Sequence, residues 1–223
     1  MTPVARPLSY PLCLLTGALL IVVAAALHPD LTGGEDGAAQ LAIIARSDAW
    51  RAIHWAFLFG FALSLTGLVG LVGSYTGTAG EGSARGGVIV AVLAYSAWMV
   101  IVAYMLGAGW TLAENYVAAE PGMTATRAVF LYDMTRPFAL AAQRLAAFAL
   151  GISTCLFGWG VVQGKALPHR LGWAGVASGL VAIALALGFG EATKADQAAF
   201  VLPVVWQLVV AVVQLAGRRG VAV

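Results

Sequence analysis

The chain has 223 residues, 61% of them hydrophobic and only 10% charged, with a net charge of +2 and a mean hydropathy of +0.89. A soluble domain carries about 25% charged residues, so a surface this apolar demands a bilayer rather than water. The charge balance leaves no basic face for nucleic acid, and the sequence holds no zinc-ribbon spacing, phosphate-cradling loop or dinucleotide fingerprint.

A spanning helix needs about 20 apolar residues. Six runs meet that length, at 8–27, 53–72, 87–108, 145–162, 171–189 and 198–216. They predict an all-α integral membrane protein with six transmembrane helices in a single polytopic domain, 1–223. No alternating pattern argues for a barrel. The first run follows Arg6 and contains the small residues Ala24, Ala25 and Ala26, a pattern shared with secretory signals. Its length exceeds a signal core, so it is read as a retained span. It ends at His28, because Pro29 disfavours helix for the residue ahead of it.

The segment after it holds "AAQLAIIA", which predicts a short helix over 38–45. The stretch "SDAWRAIHWAFLFGF" at 47–61 opens the second span, with Ser47 as its expected cap. His54 follows two turns later, so an antiparallel pair sets His28 and His54 at similar depth. Trp50, His54, Phe57 and Phe61 share one helical face. "SYTGTAGEGSARGG" at 74–87 reads as a flexible connector.

The third span carries Tyr95, Ser96 and Tyr104, and ends near Trp110, Glu114 and Tyr116. After the turn signal "EPGMT", the stretch "ATRAVFLYDM" is expected to lie as an amphipathic helix at the interface. Thr135 is then expected to cap the fourth span, with Pro137 in its first turn. Arg136 and Arg144 begin that span. Arg144 sits about two turns in, where a charge needs a partner, and Glu114 is the expected one.

The fifth span repeats Gly172, Gly175, Gly179, Ala182 and Ala186 at three- and four-residue steps, a stripe suited to close backbone approach. It closes near Glu191. The sixth carries Pro203 near its start and aligns Gln207 with Gln214 on one face. Cys13 and Cys155 lie in apolar runs and read as small buried hydrophobes. No acid, lysine or arginine falls at a span centre, which disfavours an ion-coupled pump.

Lysine and arginine divide evenly between the two sides. Arg6, Arg85, Lys165, Arg170, Arg218 and Arg219 share the amino-terminal side with one acid, Glu81. Nine acids lie opposite. The basic residues on the amino-terminal side sit in short loops close to helix ends, so both termini are expected in the cytoplasm of a bacterial-type inner membrane.

The residues expected to gather at the other boundary are His54, Trp50, Glu114, Arg144, Arg136 and His28. Aromatic and basic residues also collect at interfaces simply because half of each side chain favours water. Three functions fit the pattern. One is a vestibule that binds or moves a small amphipathic or lipid-like ligand, anchored by Arg144 and Glu114. The second is an accessory subunit packed against a membrane-protein partner. The third is a haem or metal protein using His28 and His54. No serine or cysteine sits in a nucleophile elbow, so no catalytic residue is assigned. Beyond that third reading the sequence points to no cofactor. Its expected surroundings are the lipid bilayer and a small ligand, not nucleic acid.

Overall fold

The computed structural model describes residues 7–31, 36–118, 123–188 and 194–219, and among these it is built of helices without a strand. In chain order the elements are α1 (Ser9–Leu27), α2 (Gly37–Arg46), α3 (Trp50–Val72), α4 (Glu81–Tyr104), a π-helical turn at Met105–Gly109, α5 (Trp110–Ala118), α6 (Met123–Gly164), α7 (His169–Gly188) and α8 (Lys194–Arg219). Six helices are long and apolar enough to cross a membrane. They correspond one for one with the six expected runs. The expected short helix at 38–45 is α2, with the Asp36 side chain accepting the Ala39 amide as its N-cap.

Small residues set the packing. α1 lies against α3, where a Cβ at Gly17 would collide with the backbone of Gly60 and Ser64. α6 lies against α7 in the same way: a Cβ at Gly179 would strike Cys155 and the Gly151 carbonyl. The whole predicted stripe of α7, from Gly172 to Ala186, is buried. Such contacts let helices gain dispersion energy where lipid removes the hydrophobic drive for association. In the bundle interior the Tyr95 hydroxyl donates to Gln207 Oε1 at 2.8 Å, satisfying two buried polar groups against each other.

Four local expectations are corrected. Ser47 does not cap α3; it ends α2, its amide donating to the Ile44 carbonyl. "ATRAVFLYDM" is not a separate interfacial helix but the amino-terminal part of α6, which runs unbroken for 42 residues through Pro137. At 1.5 Å per residue that is about 63 Å, twice the hydrocarbon thickness of about 30 Å. Thr135 therefore cannot cap a helix start. Its hydroxyl turns back onto the Leu131 carbonyl at 2.8 Å, within the helix. The sixth long helix begins at Lys194 rather than 198, which brings Asp196 into its first turn.

Beyond one end of the bundle, α2, α5 and the first turns of α6 form a smaller apolar cluster of Leu41, Ile44, Ala113, Ala128 and Tyr132, closed below by Trp50. Its layer roofs the end of the bundle at which α1 stops and α3 and α8 start.

Candidate functional site

Under that roof lies a cavity of about 380 Å³, walled by α1, α3, α4, α6 and α8. Its deeper wall is mostly apolar, with Gln143 of α6 among the lining residues. Phe57, Trp98 and Phe200 form a connected aromatic group, with the rings of Trp98 and Phe200 centred 4.5 Å apart and those of Phe57 and Phe200 6.4 Å apart. Val22, Ala25 and Ile101 continue that surface. The polar lining is concentrated near the roof: His28, Gln40, His54, Tyr132, Arg136 and Asp196 all face the space.

Four of these six side chains, His28, His54, Gln40 and Tyr132, are held by hydrogen bonds. His28 is the C-cap position of α1, and its Nδ1 lies 2.8 Å from the Pro29 carbonyl oxygen. His54 is 2% exposed, one turn into α3, with Nδ1 2.7 Å from the Trp50 carbonyl oxygen. A carbonyl can only accept, so in both rings Nδ1 carries the proton. The two rings are 5.2 Å apart between centroids. Burial pushes the His28 pKa down, against the smaller opposing pull of the Pro29 carbonyl and the Asp30 charge. The Tyr132 hydroxyl donates to Gln40 Oε1 at 2.9 Å, and Gln40 Nε2 donates to the Leu31 carbonyl at 3.2 Å, tying roof to wall. At the rim Lys194 Nζ meets Asp30 at 2.6 Å and joins the start of α8 to the segment after α1.

The six residues singled out in the sequence separate into three groups. His28, His54 and Arg136 line the cavity. Trp50 is fully buried behind them, its ring 4.2 Å from that of His54. Glu114 and Arg144 do not face the cavity, and they do not form the expected ion pair. Glu114 is exposed on α5, with no ion pair or hydrogen bond to any described residue, while Arg144 is half-buried on α6 and engaged elsewhere. The reason is the length of the helices. The π-helical turn continues α4 into α5, and α6 also runs on past the bundle, so Glu114 is carried into the outer layer instead of stopping level with Arg144. Glu191 lies outside the described residues.

Asp196 lines the cavity without having been among the residues expected there from the sequence. It is 5% exposed, and Arg136 lines the same cavity. The signal was present: Asp196, Phe200, Val204 and Gln207 recur at helical spacing, so the acid extends the inner face of α8. Among the described residues no three His, Cys, Asp or Glu side chains converge as metal ligands. Comparison with family models, curated proteins and solved structures finds no match for this chain.

Proposed function

We propose that this chain is a multi-pass protein of a bacterial-type cytoplasmic membrane, with both termini cytoplasmic, that binds or moves a small amphipathic ligand in the cavity beneath its outer layer. The observation that carries this reading is the two-part lining of the 380 Å³ space: aromatic and aliphatic walls on the bundle side, and two histidines, an arginine and an acid at the opposite end. Ligand sites are concave, mostly apolar and furnished with a few polar groups that fix orientation. A volume of about 380 Å³ falls within the range of about 300–1,000 Å³ typical of small-ligand pockets, which suits a short-chain lipid or a compact hydrophobic molecule with one polar end.

The test is a filling substitution. Ala139 lines the cavity from α6, and Ala139→Phe should abolish binding of a dodecyl-chain fluorescent probe in lipid nanodiscs while leaving the melting temperature close to wild type. Unchanged probe binding would remove the cavity from consideration.

A second reading has its own observation. Phe130, Met134 and Phe138 are 61%, 65% and 70% exposed at four-residue steps along α6. Apolar residues at that spacing form one ridge, and they lie in the half of α6 farther from the bundle core. That ridge favours an accessory role against a second membrane protein. It predicts co-purification with a stoichiometric partner that Met134→Asp disrupts.

A further inference from the structure

We infer that His28 and His54 form a paired acceptor seat for the hydroxyl head of an uncharged ligand, an alcohol or phenol with an apolar body. This rests on the cavity being the ligand site and specifies what the site selects.

The two imidazoles have the same hydrogen-bond arrangement, in different local settings. His28 Nδ1 donates to the Pro29 carbonyl and His54 Nδ1 to the Trp50 carbonyl. A neutral imidazole has a single N–H, so once Nδ1 holds it, Nε2 is left as a bare acceptor. Neither Nε2 makes a hydrogen bond with a described residue, although both rings line the cavity and His54 is almost wholly buried. Neither Nε2 is among the fully buried polar atoms that lack a partner, so both stay accessible. Two accessible acceptors on adjacent rings that line the cavity, with centroids 5.2 Å apart, suit a donor supplied from within it.

The rest of the lining narrows the class. Arg136 and Asp196 both face the space, so the lining carries charges of both signs and offers neither a carboxylate nor an ammonium a field of one sign. A head group without charge needs no such field. The hydroxyl donates to one Nε2, and a second hydroxyl or a water donates to the other. A metal bridging the rings is disfavoured because no third His, Cys, Asp or Glu converges with them among the described residues. Trp98 and Phe200 then provide the apolar face for the ligand body.

The experiment uses the full chain in lipid nanodiscs with ¹⁵N-labelled histidine. It is titrated separately with 1-dodecanol, dodecyl methyl ether, dodecanoate and dodecylamine. The wild-type spectrum should show Nδ1–H tautomers for His28 and His54, and dodecanol should move their Nε2 signals while leaving His169 unmoved. Dodecanol should bind at least about tenfold more tightly than the ether, which has the same chain and no proton to donate. His54→Phe should erase that preference by weakening the alcohol to the level of the ether, with the affinity for the ether itself unchanged. If that variant fails to fold, the wild-type preference and the Nε2 shifts decide the matter alone. Equal binding of alcohol and ether, tighter binding of dodecanoate or dodecylamine, or Nε2–H tautomers would each overturn the seat while leaving the cavity as a ligand site. Binding of none of the four probes would overturn the seat and the cavity reading together.

Discussion

The indole N–H of Trp50 donates to the main-chain carbonyl of Met105 across 3.2 Å, joining the first residue of α3 to the π-helical turn that follows α4. The same carbonyl accepts the Trp110 amide within the turn. One oxygen with two lone pairs thus secures both the irregular turn and the wall behind His54. Trp50→Phe keeps an aromatic ring but removes the donor and some volume. It should cost about 1–3 kcal/mol and raise hydrogen exchange at 105–110, read by mass spectrometry. Unaltered exchange there would show that the turn stands without the indole.

The small-residue face of α7 gives a second expectation. A Cβ at Gly175 would strike the Trp206 ring, and one at Gly179 the Cys155 sulfur. Gly175→Leu or Gly179→Leu should lower the melting temperature in a fixed detergent clearly more than Val176→Leu, whose side chain is only half-buried. Equal, small shifts for all three would mean that α7 separates from α6 and α8 without loss.

Tyr95 and Gln207 should be coupled energetically. Tyr95→Phe and Gln207→Leu each break the 2.8 Å bond. The double variant should therefore be less destabilised than the sum of the singles, by about 0.6–1.7 kcal/mol for a polar pair within a membrane bundle. Strict additivity in a double-mutant cycle would argue that each group finds water or another partner.

The two acids contrasted by the structure should differ in stability. Glu114 is exposed, so Glu114→Gln should change stability by no more than about 0.5 kcal/mol. Asp196 is buried in the first turn of α8, where the helix dipole favours a negative charge. Asp196→Asn should lose about 1–3 kcal/mol. Thermal melts of the two variants side by side give the comparison, and equal losses would contradict the placement of Asp196.

His28 predicts a pH dependence. Its folded pKa is lowered from the ordinary 6.5 by burial, so the unfolded chain takes up the proton more readily than the folded one. The stability tied to this group is fully present above pH 6.5 and is lost as the pH falls through the lowered folded pKa. Asp30 and His54, its titratable neighbours, remain in His28→Gln. That variant should show a shallower fall in melting temperature from pH 7.5 to 5.5 than wild type; parallel slopes would assign the effect to another group.

Much of the fold could be read from the sequence because lipid imposes a one-dimensional rule. A run of about 20 apolar residues must be a spanning helix, since no other backbone satisfies its own hydrogen bonds there. The six long helices, the end of α1 at His28, the short α2 and the buried glycine face of α7 all follow from run length and three- and four-residue spacing. Where helices stop once they leave the apolar region is not governed by that rule. α5, which prolongs α4, and the outer part of α6 continue outward because tertiary contacts in the second apolar cluster reward the extra turns, and this carries Glu114 away from Arg144. The meeting of His28 with His54 was legible as equal depth, but the orientation of the rings was not, because it depends on which backbone carbonyl each Nδ1 finds. Asp196 joined the cavity only through the early start of α8. Spacing along a chain fixes which face a residue shares; what stands opposite that face is decided by the packing of helices far apart in sequence.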